Sequence, residues 1–379
     1  MGITRFYLPT RFIIGAGSLS QLGKEACRLG KTALLVTGSK SMRKTGVLDR
    51  VINDLNGNDV KPVVFDEVEP NPRASTIDRG ADKARQNNAQ LVIGLGGGSV
   101  MDASKCIALA AGGTEPIFSI YEGRAKAGKA LPILLIPTVA ASGSEANAGA
   151  VVTNWDTHEK VVIGNSQMNP TLSIIDPELT LTLPARPTAQ GGLDIFCHLV
   201  EPYITCDEFT LINDSLREAC MRTVVETLPA VLAKLDDIEG RTRLSWASTI
   251  ACSQFASLGG GTGLMTLHAI EHALSGHYDI AHADGLAALL IEWMKYTSPV
   301  REDRFKRLGK NVFGASDGIE ATRKWLKRVG MDFKLSSLHV KDPDFEKLAA
   351  TALKTGSWAK FHPRTMDAAA IASIYKKSF

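Results

Sequence analysis

Short apolar runs and helix-like stretches alternate through the first half of the chain, and that alternation restricts the fold more than any other feature. The runs at 32–36, 62–65, 91–94, 133–136 and 173–175 are rich in aliphatic and β-branched residues, and each stops at Gly, Pro, Asp or Thr. Between them, residues 18–29, 46–55, 75–87 and 99–111 carry helical patterning. Strands that alternate with helices predict a mostly parallel sheet covered on both faces, whose strands read as continuous apolar segments. The character changes near residues 183–188. From Gly191 onward, long amphipathic segments dominate (192–205, 210–235, 240–258, 262–275, 285–297, 318–329 and 344–355) and strand signals nearly vanish. The expected architecture is an α/β domain over 1–184 followed by an all-helical domain over 185–379.

At 379 residues the chain is long enough for two such cores. Its charge of +3, from 43 basic and 40 acidic residues, gives no reason to expect nucleic acid or an anionic membrane surface. The start of the chain has no continuous apolar leader, and no apolar run reaches the roughly 18 residues a membrane span requires. The six cysteines form no CxxC and no regular framework, which fits reduced thiols in a cytoplasmic protein.

Two loops stand where open α/β sheets bind ligands, at the carboxyl ends of strands. The first, Gly96-Gly97-Gly98-Ser99 running on to Asp102, leaves an apolar strand and enters a helix. Glycines admit a phosphate close to backbone N–H groups, and the helix N-terminus adds partial positive charge. This is not GxGxxG, and a plain strand-to-helix turn capped by Ser99 would look the same. The second loop, with Thr138, Ser142, Gly143, Ser144 and Glu145, offers hydroxyl donors to ribose or pyrophosphate oxygens. Gly15-Ala16-Gly17 lacks the third Gly and the distant acid, and reads as a turn before the first helix.

Four of the eight histidines fall between His268 and His282. His268 and His272 are four apart, as are Asp194 and His198 upstream, so each pair shares a helix face. A carboxylate and imidazoles converging from two helices and a following loop suit Fe²⁺ or Zn²⁺ better than Mg²⁺ or Ca²⁺. One rival pattern overlaps them. His268-Ala-Ile-Glu271-His272 matches H-x-x-E-H, an inverted zinc-peptidase signature with Glu271 as base. That reading leaves the glycine-rich loop and the Asp194/His198 pair without a role. His158, His339 and His362 have no spaced partner and read as surface or satisfied core residues.

Taken together, the segments 6–11, 44–48, 69–72, 96–105, 137–147, 192–198 and 268–282 resemble the iron-containing, or group III, alcohol dehydrogenases. The nearest likeness is to the butanol dehydrogenase-like and NADPH-dependent aldehyde reductase branch. The resemblance implies a dinucleotide-binding domain and a helical metal-binding domain with the active site in the cleft between them. It implies one divalent metal, Fe²⁺ with Zn²⁺ as the alternative, held by Asp194, His198, His268 and His282. His272 would then be the proton carrier rather than a ligand, and His277 stays unassigned. On the cofactor side the likeness points to Gly96, Gly97, Gly98, Ser99, Asp102, Thr138, Ser142 and Lys160. After the strand at 32–36, Gly38-Ser39-Lys40 stands where NAD-preferring relatives tend to carry Asp. Gly38 removes the repulsion of a 2′-phosphate and Ser39 can receive it, so NADP(H) is expected over NAD(H).

The expected activity is interconversion of primary alcohols and aldehydes by hydride transfer at an oxygen polarised by the metal, in a homodimer. A zinc-dependent polyol dehydrogenase of the same architecture is the near alternative, and a nucleotide-binding protein without turnover the distant one. Two departures are visible. Ala283-Asp284 follows His282 where the family commonly has Gly, and His362-Pro363-Arg364 replaces an Asn-Pro-Arg.

Overall fold

The computed structural model describes residues 6–379 apart from 208, 209, 259, 260, 262 and 342. The start of the expected helix at 262 and the first five residues of the chain lie outside the described residues. Among the described residues there are eight strands: β1 (Arg11–Ile14), β2 (Thr32–Gly38), β3 (Lys61–Val68), β4 (Leu91–Gly96), β5 (Ile133–Pro137), β6 (Gly149–Asn154), β7 (Glu159–Gly164) and β8 (Leu172–Ile175). Six of them form one parallel sheet in the order β1-β8-β5-β4-β2-β3. Every residue of β4, β5 and β8 is buried, as both-face coverage demands. One core, with Leu34, Ile77, Val92, Ile107 and Leu135, lies on one side of the sheet. The other, with Leu35, Val51, Ile93, Leu134 and Ile174, lies on the opposite side, as residue alternation along β2, β4 and β5 requires.

From β2 the chain runs outward to β3 and returns to β4 on the other flank of β2. The strand order therefore reverses between β2 and β4, and a crevice opens beyond their carboxyl ends. β4 delivers its glycine loop there, directly into the helix Gly98–Ala111.

Beyond β8 the chain is helical, with long members Ala185–Thr205, Leu211–Ala233, Ile238–Ala251, Thr266–Tyr278 and His282–Thr297 around one apolar core. The first of these starts at Ala185, seven residues ahead of the expected segment. Pro187 sits in its opening turn, where a missing N–H costs no intrahelical bond. A buried ionic knot ties this core together. Arg304 Nη1 donates to Asp214 Oδ1 at 2.8 Å, with side chains 2% and 1% exposed. Arg307 bridges Asp214 at 3.4 Å and Glu218 at 3.1 Å, and Tyr203 Oη donates to Glu218 at 2.7 Å.

Three strands were not foreseen, nor were the helices Ile117–Tyr121, Glu302–Leu308 and Ala368–Ser378. β1 is a four-residue strand at the sheet edge, too short to show a pattern. β6 and β7 form an antiparallel hairpin closed by a polar turn, Trp155-Asp156-Thr157-His158, with His158 at φ 56°. Its root is bonded to the sheet half, through Thr153 N–H to Pro72 O at 2.9 Å and Val151 N–H to Asp102 Oδ2 at 2.8 Å. Its far strand reaches the helical half, where Lys160 Nζ donates to Ser275 Oγ at 2.8 Å. No helix among the described residues is long and apolar enough to cross a membrane.

Candidate active site

The crevice between β2 and β4 continues into a cavity of about 690 Å³ lined by both halves of the chain. Gly97, Gly98, Ser99, Asp102, Thr138 and Ser142 line it from the sheet side, with Ser41 and Met42 after β2. Lys160 and Val162 enter from the hairpin. Asp194, His198, His268, His272 and His282 line the same cavity from the helices, together with Met265 and Trp358. Gly38, Ser39 and Gly96 are not among the lining residues. Gly96 lies inside the sheet, where a Cβ would fall 2.6 Å from Val100 Cγ2.

The glycine loop leaves a cradle that side chains would fill. A Cβ on Gly98 would stand 2.8 Å from Ser142 Oγ, and one on Gly97 would stand 3.0 Å from Val139 Cγ1. Gly98 begins a 14-residue helix, so its first-turn N–H groups and partial positive charge face the cavity. A pyrophosphate fits that environment. Gly98→Val is expected to weaken dinucleotide binding by at least about tenfold, read by fluorescence titration with NADPH; wild-type affinity in the variant would exclude the cradle. Asp102 lines the cavity, but both its oxygens are already used: Oδ1 accepts from Ser144 Oγ at 2.5 Å and Oδ2 from Val151 N–H. The buried Lys105 ammonium lies 3.6 Å away and donates to the Ser144 carbonyl at 3.0 Å.

On the helical side, ligand atoms of Asp194, His268 and His282 lie within 4.8 Å of one another. Asp194 Oδ1 is 3.7 Å from His268 Nε2 and 3.8 Å from His282 Nε2. Asp194 Oδ1 and His268 Nε2 are buried without a hydrogen-bond partner. Such atoms are costly unless something else satisfies them. His198 stands beside the group, its ring centroid 4.4 Å from that of His268. Its Nδ1 is 2.9 Å from the Asp194 carbonyl, and donating there leaves Nε2 with its lone pair free.

Charge points the same way. The carboxylates of Asp194, Glu201 and Glu271 are buried around these rings, and Lys160 is the buried ammonium that faces them, 3.9 Å from Glu271 Oε2. A divalent cation neutralises the excess negative charge that remains. Oxygen and imidazole nitrogen donors suit Fe²⁺ or Zn²⁺, so the residues present fit the implied metal.

Burial raises the Asp194 carboxyl, but His198 and the neighbouring imidazoles more than reverse this and hold it well below the usual range. Burial pushes His198 down to about 4. Burial also works against protonation of His268, yet Glu201 and Asp194 outweigh it and push that ring up to about 10. Burial, reinforced by the Lys160 charge, drives His272 well below its ordinary value, so it is a neutral ring.

The peptidase pattern fails on geometry. Glu271 is fully buried and its Oε2 is taken by His282 Nδ1, so it is not a base open to a substrate. Its function, and that of Glu201, escaped sequence reasoning. Glu201 does continue the 194, 198, 201 stripe on one helix face, a spacing that could have drawn attention to it. His277 pairs with His158 at 4.9 Å between ring centroids and does not line the cavity. His362 is buried against Trp293 and Tyr296, with Nε2 3.2 Å from Thr297 Oγ1. His339 is exposed.

Comparison with known proteins agrees with this division of labour. The family model "iron-containing alcohol dehydrogenase" matches residues 9–177, and that of the family's C-terminal part matches residues 188–379. The chain is 33% identical to NADH-dependent butanol dehydrogenase A of Clostridium acetobutylicum, over 99% of both chains. It is 30% identical to an NADPH-dependent aldehyde reductase of Escherichia coli, over 87% of each. The crystal structure of NADH-dependent butanol dehydrogenase A from Thermotoga maritima superposes with a TM-score of 0.94 at 31% identity, covering 100% of this chain and 99% of that one. These likenesses do not favour a zinc-dependent polyol enzyme. With family models matching both halves, and a glycine-rich loop sharing one cavity with a cluster of side chains that could hold a metal ion, the chain belongs to the iron-containing alcohol dehydrogenase family.

Proposed function

We propose that this oxidoreductase interconverts short primary alcohols and aldehydes with NADP(H) in preference to NAD(H), using Fe²⁺ held by Asp194, His198, His268 and His282. One observation carries the reading: ligand atoms of the buried Asp194 and His268 and of the half-buried His282 lie within 4.8 Å of one another in the cavity that also receives the N-terminus of the Gly98 helix. When bound, the ion supplies Lewis acidity toward a substrate oxygen, and the nicotinamide gives or takes the hydride. Gly97, Gly98 and Ser99 hold the pyrophosphate, while Thr138, Ser142 and Lys160 line the cofactor's path. His272 lines the same cavity, its ring centroid 5.4 Å from that of His282. As a neutral imidazole it passes a proton through one nitrogen while receiving one at the other. A division between cofactor-binding and metal-binding domains at 184/185 is supported by the helix that begins at Ala185 and by family matches that end at 177 and resume at 188.

The absence of a carboxylate at Gly38 supports NADP(H), and Ser39 beside it offers a hydroxyl to the 2′-phosphate. Relatives named as NADH-dependent make this the discriminating measurement. A homodimer is supported by β1, which among the described residues pairs with β8 alone and so leaves its outer strand edge unpaired there. A cytoplasmic setting is supported by six cysteines of which none is in a disulfide.

The test is a panel of butanal, shorter aldehydes, glycerol and diols with protein reconstituted with Fe²⁺ or Zn²⁺, using both cofactors. Metal-dependent oxidation of NADPH by butanal is expected, with kcat/KM about tenfold above that for NADH, roughly 1.4 kcal/mol in transition-state binding. Equal or greater kcat/KM with NADH overturns the cofactor preference. No oxidation across the panel overturns the enzymatic reading in favour of nucleotide binding alone.

A further inference from the structure

Two of the metal-site histidines are each backed by a fully buried carboxylate that does not line the cavity described above. Glu201 extends from the helix Ala185–Thr205 to the start of the helix Thr266–Tyr278. Its Oε2 accepts the N–H of Leu267 at 2.6 Å and of His268 at 3.2 Å. These are first-turn groups with no intrahelical acceptor, and Met265 at the cap position supplies none. Glu201 therefore caps a helix other than its own. Its second oxygen, Oε1, is bonded to His268 Nδ1. Glu271 repeats the arrangement one helix further on, its Oε2 bonded to Nδ1 of His282. Position 285 leaves room for that carboxylate, since a Cβ on Gly285 would fall 2.7 Å from Glu271 Oε1. Lys160 supplies the counter-charge, itself fixed by Asn71 Oδ1 at 2.9 Å and Ser275 Oγ at 2.8 Å.

A carboxylate that accepts from one imidazole nitrogen fixes the proton there and leaves the lone pair on the other. We propose that Glu201 and Glu271 are positioning residues that hold His268 and His282 as Nδ1–H tautomers and aim both Nε2 atoms at Asp194 Oδ1. The inference rests on the metal reading above and adds what makes the two rings ligands rather than neighbours. The distances of 3.7 and 3.8 Å from the Nε2 atoms to one carboxylate oxygen are the geometric signature of that aim.

The test compares wild-type protein with Glu201→Gln and Glu271→Gln by Zn²⁺ competition against a chromophoric chelator, without cofactor. At position 201 both oxygens accept, so a glutamine amide sets its NH₂ against a donor whichever way it is turned, a conflict relieved when the His268 proton moves to Nε2 and faces the ion. At position 271, where Oε1 has no partner, glutamine can keep an oxygen on His282 Nδ1, and the variant loses the carboxylate charge that makes the ring a stronger ligand. Each variant is expected to bind Zn²⁺ about 10–100-fold more weakly. Trp293→Phe is the structural control: it removes the bond from the Trp293 indole N–H to Thr266 Oγ1, in the same first turn but away from the rings, and should lower Tm while leaving Zn²⁺ affinity unchanged. Glutamine variants that bind like wild type overturn the inference while the metal site stands. Wild-type protein that binds no divalent ion overturns the metal reading and the inference with it. Should either variant fail to fold, ¹⁵N-histidine spectra of wild-type Zn²⁺-loaded protein decide the matter. Nδ1–H signals for His268 and His282 are expected, and Nε2–H on either ring refutes the assignment.

Discussion

His268→Ala or His282→Ala protein is expected to retain its fold and lose its metal, with alcohol oxidation falling at least about 10³-fold, a loss near 4 kcal/mol of transition-state stabilisation. Each substitution deletes an Nε2 directed at Asp194 Oδ1 and strands the carboxylate behind it, Glu201 or Glu271, without its ring partner. Metal analysis of purified protein should find about one equivalent per wild-type chain and less than about a tenth of that in either variant, with circular dichroism unchanged. His277→Ala is the matched comparison. It removes a histidine of the same cluster that does not line the cavity, and it should leave metal content untouched. Full activity in either His268→Ala or His282→Ala would sink the ligand assignment.

The second large effect concerns stability and lies away from the cavity. Asp214→Ala deletes the buried carboxylate that faces Arg304 at 2.8 Å and Arg307 at 3.4 Å. An ion pair this deep adds little net stability relative to apolar packing, but breaking it from one side removes the buried carboxylate 2.8 Å from the Arg304 guanidinium. The expected cost is about 3–5 kcal/mol, seen as a lower urea midpoint with the slope preserved. Asp214→Asn keeps an acceptor oxygen and should cost clearly less. Both variants are to be unfolded in the presence of a chelator, so that metal loading does not enter the comparison. A loss below about 1 kcal/mol in Asp214→Ala would show that the knot is relaxed by solvent rather than buried.

The parts of this fold legible in the sequence are those whose pattern is local. β2, β4, β5 and β8 are buried on both faces, so their apolar runs are continuous and were read near their observed positions. The helices around 211–233 and 266–278 were read to within a few residues for the same reason. β1 and the β6–β7 hairpin were not legible: one is four residues long at an edge, and the other mixes core and exposed faces around a polar turn. The hairpin matters most, since it brings Lys160 to the Ser275 hydroxyl and beside Glu271. Within the site, spacing along helices flagged Asp194, His198 and His268. The partners of those residues depend on how helices dock: Glu201 meets His268 across 67 positions of sequence. Asp102 was grouped with the glycine loop it follows, yet the groups it binds, Ser144 and Val151, lie 42 and 49 residues further on. No local pattern encodes such separations.

The order in which the parts appear along the chain also sets an order of assembly. β8 closes the parallel sheet at Ile175, while His282, the final member of the metal cluster, comes more than a hundred residues later at the opening of the helix His282–Thr297. A chain growing on the ribosome carries all six strands of the parallel sheet before the candidate metal ligands are complete. The hairpin is then already in place with Lys160, waiting for Glu271 and Ser275 to arrive. The cavity itself is lined by both halves, so it closes only after the helices that carry Asp194, His268 and His282 have been made.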